Sequence, residues 1–116
     1  MLFRKKRKNM RAHPRADFFQ PSYFIIDSDS QHGTNECWFY DISIGGIGIE
    51  SGKNNLAHET ITVICKLGSQ YRKDRLQIKY STRFFSKWRY GCQFLSNDDH
   101  RNKLISYFIG QKSNGK

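Results

Sequence analysis

The sequence predicts an all-β fold, closed or sandwiched, with one α-helix at its C-terminal end. Three observations carry this. Apolar residues recur at every second position in short runs between residues 17 and 95. Glycines and polar turn-formers separate the runs, as in all-β domains. After Ser96 the apolar spacing changes to that of a helix. With 116 residues, the chain is the size of one small domain and too short for two independent cores.

The elements follow in order. Residues 1–10 show no periodicity and are expected to be a flexible basic arm. Residues 17–27 are rich in β-formers, with Pro21 marking an edge position or a bulge. Residues 28–35 are turn-formers throughout and predict a loop. Residues 36–43 predict a second strand with Cys37, Phe39 and, by strict alternation, Asp41 on one face. After the Gly45-Gly46 turn, residues 46–50 alternate again, and residues 51–59 form a polar loop. Residues 60–67 place Ile61, Val63 and Cys65 on one face; residues 74–83 do the same with Leu76, Ile78 and Tyr80; residues 88–95 make a sixth strand. In the helix, Ser96 or Asn97 can cap, and Asp98 and Asp99 suit the first turn. Leu104, Ile105, Phe108 and Ile109 make the buried stripe, and Gly110 predicts its end.

Composition narrows the function classes. Only 37% of residues are hydrophobic but 15% are aromatic, so large rings must supply much of the core, and most are expected to point inward. The net charge of +10 calls for an acidic partner. It is uneven: +7 over residues 1–15, −5 over 16–66, +6 over 67–95 and +2 over 96–116. No apolar run is long enough to span a bilayer. Met1-Leu2-Phe3 followed by the basic residues Arg4 to Lys8 does not read as a secretory signal. Cys37, Cys65 and Cys92 lie too far apart for a zinc site or disulfide framework, and predict buried reduced thiols in a cytoplasmic protein. His13 and His32 sit in loops without a ligand cluster, so no metal is expected.

Two short motifs carry chemistry. Arg11-Ala12-His13-Pro14-Arg15 places two arginines four residues apart, beside a proline that favours a bend. Guanidinium forks bind phosphate oxygens or guanine O6 and N7 bidentately and stack on purine faces. The second motif is Asp41-Ile42-Ser43-Ile44-Gly45-Gly46. Alternation puts Asp41 and Ser43 on one side, a carboxylate to accept from guanine N1–H and N2–H₂ beside a hydroxyl. Gly46 allows a turn and a close approach by a ligand.

Together, R-x-x-x-R before the first strand and D-x-S-x-x-G between the second and third resemble the PilZ domain family. Arg11, Arg15, Asp41, Ser43 and Gly46 meet that pattern, and the resemblance covers roughly residues 8–110. It implies a six-stranded antiparallel β-barrel with a C-terminal α-helix over residues 11–110, after a basic arm at 1–10 and before a disordered tail at 111–116. It also implies a receptor for the bacterial second messenger cyclic di-GMP. Arg11 and Arg15 would clasp phosphate and guanine, Asp41 and Ser43 would make the barrel-side contacts, and Gly46 would act through its backbone. Arg7, Lys8, Met10, Trp88 and Arg89 are secondary candidates. Ligand would order the arm and relay the signal to an unidentified effector protein.

No arrangement of His, Cys, Ser or paired carboxylates suggests an enzyme. No cofactor is expected beyond the ligand cyclic di-GMP. Two alternatives remain. A small β-barrel for single-stranded nucleic acid would use the aromatics and positive charge, but the acidic Asp41 opposes a polyanion, so nucleic acid is an unlikely partner. A PilZ-like scaffold that no longer binds nucleotide would not need the intact motifs.

Overall fold

A computed structural model describes residues 14–114. Six antiparallel strands, β1 (Ala16–Ile26), β2 (Asn35–Ile42), β3 (Gly46–Ser51), β4 (Thr60–Leu67), β5 (Gln70–Phe84) and β6 (Lys87–Phe94), close into a barrel. The order around it is β1-β2-β3-β6-β5-β4. The single α-helix, α1, spans Asp99–Asn114. The predicted loop after β1 contains a short 3-10 helix, Asp27–His32. β5 starts at Gln70, earlier than alternation suggests, because Gln70, Tyr71 and Lys73 are exposed and the inward places beside them are held by the charged Arg72 and Asp74, which give no apolar alternation.

The barrel closes at a thin seam. β1 and β4 pair only through Phe24–Val63, Ile25–Thr62 and Ile26–Ile61. Pro21, which has no N–H to donate, pairs with Trp38 of β2 beyond that stretch, and β1 bulges between Asp17 and Gln20. Side chains bridge the rest of the seam. Gln20 Nε2 donates to the Lys66 carbonyl (3.0 Å), Gln20 Oε1 accepts from the Lys66 N–H (2.8 Å), and the Ser22 hydroxyl donates to the Ile64 carbonyl.

The predicted faces carrying Phe39, Ile61, Val63, Leu76 and Ile78 point into the core, and with Phe24, Ile42 and Ile49 these residues are all fully buried. The expectation that most aromatics point inward is corrected. Phe19, Tyr23, Trp38, Tyr71, Tyr80, Phe85 and Tyr107 are exposed, while Phe18, Phe24, Phe39, Tyr90 and Phe94 are buried. Aliphatic residues line most of the barrel, which leaves many rings on its outer surface.

Helix α1 packs through Ile105, with Leu104, Phe108 and Ile109 partly buried around it. Phe108 meets Phe18 edge-on, with centroids 5.3 Å apart. The cap is Asp98, not Ser96 or Asn97: its Oδ1 accepts from the Arg101 N–H at 2.9 Å. Gly110 does not end the helix, which continues to Asn114. Nothing crowds the Gly110 position, so packing forces no break there.

Beneath the start of α1 lies a charge cluster. Asp74, 6% exposed, accepts from Arg72 (Nε 3.3 Å, Nη2 3.3 Å) and from Arg101 Nη1 (3.4 Å). Arg72 Nη2 also reaches Asp98 Oδ2 at 2.5 Å. Arg101 is 2% exposed, lies 3.8 Å over the Phe94 ring and donates to the Ser96 carbonyl.

All three cysteines are free and buried. Burial pushes Cys37 and Cys65 up to about 12 and raises Cys92 as well. A thiol raised in the fold favours folding below its unfolded value, 9.0, and that advantage is lost as pH climbs toward the folded value. Urea unfolding should therefore show stability falling above pH 9, by up to about 1.4 kcal/mol per thiol per pH unit. A flat profile from pH 9 to pH 10.5 would refute it.

Candidate ligand-binding site

Two β-bulges build the site. On β2, Phe39 pairs with Ile49 but Asp41 pairs with Gly48, so Tyr40 is the extra residue. On β5, Ile78 pairs with Cys92 but Tyr80 pairs with Gly91, so Lys79 is extra. A bulge shifts the phase of the side chains beyond it. Asp41 therefore leaves the face of Cys37 and Phe39, and Tyr80 leaves that of Leu76 and Ile78, correcting both alternation-based expectations. Tyr80 is 49% exposed, whereas Ile42 takes the inward place beside Asp41.

Both residues fall on one row across five strands: Asp17, Asp41, Gly48, Gly91 and Tyr80. The glycines form its floor. A Cβ at Gly91 would sit 2.2 Å from the Tyr80 ring, and one at Gly48 would sit 2.5 Å from Asp41 Oδ1 and 2.6 Å from the Tyr40 ring. Tyr40 and Asp41 thus lie across Gly48, and Tyr80 lies across Gly91.

Arg15 joins this row from just before β1. Its Nη1 donates to Asp41 Oδ2 at 2.9 Å, with the two side chains 30% and 19% exposed. Partial burial works against the guanidinium charge, but Tyr80 and Asp41 together hold the Arg15 pKa above its ordinary value. Burial, helped by Asp41 and Tyr80, pushes the Tyr40 phenol up to about 12, so it stays protonated near neutral pH.

The second motif turns tightly. Ser43 N–H donates to the Gly46 carbonyl (2.9 Å), and Gly46 N–H donates back to Ser43 (3.3 Å). Ser43 Oγ accepts from the Gly45 N–H at 3.1 Å. That bond organises the turn and leaves the hydroxyl proton for donation elsewhere. Gly46 is needed for packing: a Cβ there would lie 1.8 Å from the Cys92 carbonyl oxygen.

Arg89 borders the row. Its guanidinium lies 3.6 Å over Phe84 and 4.4 Å over Tyr40, and its Nε donates to Glu50 at 3.1 Å. Trp88 packs against the core with Arg83 stacked over it at 5.3 Å. Arg11, Met10, Arg7 and Lys8 lie outside the described residues.

Neither motif includes Tyr40, Tyr80, Gly48 or Gly91. Glycines inside alternating runs, as in Gly46-Ile47-Gly48-Ile49 and Tyr90-Gly91-Cys92, are the signal that could have found the floor, since an interior-strand glycine often marks close approach.

This chain matches the PilZ domain family over residues 6–110. It belongs to that family. PilZ domains are non-enzymatic receptors, and the closed six-stranded antiparallel barrel with its C-terminal helix agrees with the architecture that the motifs imply. Among curated proteins none matches the chain. Similar solved structures include the Bacillus subtilis inhibitor of motility MotI/DgrA (17% identity, TM-score 0.71, 90% of this chain and 52% of that one). They also include Escherichia coli YcgR in complex with c-di-GMP (16%, 0.70, 90% and 46%). A third is the K. pneumonia MrkH–c-di-GMP complex (16%, 0.69, 91% and 54%). The PilZ chain therefore spans about half the length of these proteins. Among its described residues no helix is long and apolar enough to cross a membrane.

Proposed function

We propose that this PilZ domain binds cyclic di-GMP across the Asp41–Tyr80 row. The observation that carries the reading is the Arg15–Asp41 contact at 2.9 Å, which joins the arginine motif to the Asp-Ser-Gly motif across 26 positions. Arg15 supplies a charged fork for phosphate or a guanine edge. Asp41 keeps that fork aimed through Oδ2 and offers Oδ1 to guanine N1–H and N2–H₂. Ser43 contributes its hydroxyl proton, and the Tyr40 and Tyr80 rings give apolar faces for purines. Arg11 adds the second clasp. Capture of the ligand by Arg11 and Arg15 orders the arm at residues 1–10, which presents a new surface to a protein effector in the cytoplasm. Complexes with c-di-GMP in two similar structures, YcgR and MrkH, support the ligand.

Calorimetric titration with cyclic di-GMP should give saturable heat for the wild type. Arg15→Ala should weaken binding by about 10–150-fold, the loss of a charge-assisted hydrogen bond worth about 1.5–3 kcal/mol. Equal affinities would refute the arginine assignment, and binding of oligonucleotides but not the dinucleotide would refute the ligand. Amide exchange of residues 1–10 tests the relay: protection unchanged at saturation would sink it.

A further inference from the structure

The basic segment at residues 67–95 is only partly explained by ion pairs. Arg72, Arg75 and Arg89 are paired with carboxylates. Arg83 and Lys87, at the tip of the β5–β6 hairpin, make no ion pair among the described residues, and both are exposed. Between them lies a two-residue turn, Phe85-Ser86. Phe85 is 84% exposed and has φ +56. A bulky side chain in the left-handed region is a genuine outlier. Asn or Gly would make the turn with less strain, so the fold gains nothing evident from this ring.

The ring nevertheless has a firm base. Phe85 packs edge-on against Phe84, with centroids 4.7 Å apart and planes at 81°. Its carbonyl accepts from Arg83 Nε at 3.1 Å. Phe84 in turn lies under Arg89. The result is a convex tip with an aromatic apex and an unpaired cation on each strand just behind it.

We propose that this tip docks on an anionic lipid surface. Phe85 enters the boundary between headgroups and acyl chains, and Arg83 and Lys87 meet lipid phosphates. A ring at the apex with cations set back on both sides complements a plane of negative charge over an apolar layer. An acidic protein would need a pocket shaped for this apex; a bilayer needs only the charge and depth that the tip already has. One ring and two cations give weak, reversible attachment.

The test is co-sedimentation of the full chain with vesicles of phosphatidylcholine alone or mixed equally with phosphatidylglycerol. The basic residues near the N-terminus also attract anionic vesicles, so the tip variants decide the outcome. Phe85→Asn suits the left-handed turn and should retain the fold, as checked by circular dichroism. It should lower partitioning onto mixed vesicles by about fivefold to tenfold. Lys87→Glu should lower it roughly tenfold. Phe85→Trp should add fluorescence quenched by brominated lipid beyond the quenching seen in the wild type. Wild-type partitioning by both Phe85→Asn and Lys87→Glu overturns the proposal, as does equal wild-type binding to neutral and mixed vesicles.

Discussion

Asp74→Ala should remove about 3–5 kcal/mol of stability, the usual loss when one partner of a buried ion pair is deleted. A small domain has only about 5–15 kcal/mol in total, so the variant should be close to unfolding at physiological temperature. Arg101 makes the loss severe. Its side chain is 3% exposed and stacked on Phe94, and Asp74 is its carboxylate partner. Among the described residues Arg101 Nε already lacks a hydrogen-bond partner, so without Asp74 the guanidinium keeps only the Ser96 carbonyl. Asp74→Asn should cost less, because the amide oxygen can still accept from Arg72 or Arg101. Urea unfolding followed by circular dichroism measures both. A loss below about 1 kcal/mol for Asp74→Ala would mean that apolar packing of Ile105 and Phe108, and not the charge cluster, holds α1 in place. Acid should weaken the same corner. The Arg101 N–H and then Arg72 hold Asp98 below its ordinary value, so its contribution is present above the unfolded value and fades as pH falls through the folded one.

The strands and the helix were legible because each buries one face, and burial imposes a period. Ile61, Val63 and Cys65 show it plainly. Alternation failed where a bulge intervened. The extra residues Tyr40 and Lys79 turn Asp41 and Tyr80 outward, yet neither bulge leaves a compositional mark in its strand. Motif spacing singled out Arg15 and Asp41, which the fold brings into contact, because a recurrent pattern does not depend on knowing which way a side chain points. The ion cluster was half visible. Asp74 occupies the same phase as Leu76 and Ile78, and a carboxylate in an apolar phase asks for a buried cation. Sequence could not say that the cation was Arg101, because the partner comes from a helix whose docking depends on the closed barrel.

Two glycines two residues apart should separate folding from binding. Gly46→Ala puts a methyl 1.8 Å from the Cys92 carbonyl oxygen and 3.1 Å from the Gln93 Cα, so only a parting of β3 from β6 can accommodate it. Overpacking against backbone belongs at the upper end of its usual range, about 3 kcal/mol. Loss of ligand by this variant would then follow from loss of fold. Gly48→Ala meets softer neighbours: Asp41 Oδ1 at 2.5 Å and the outer edge of the Tyr40 ring at 2.6 Å. Both are side-chain ends that can swing aside, so the fold should lose only about 1 kcal/mol. Moving Asp41 releases Arg15, however, and the affinity for cyclic di-GMP should drop about tenfold, or about 1.4 kcal/mol. Thermal melts and calorimetry on the two variants read these effects separately. If Gly46→Ala melted like the wild type but lost ligand, that glycine would serve ligand approach instead of packing. If Gly48→Ala bound normally, the Arg15–Asp41 contact would have no part in aiming the arginine.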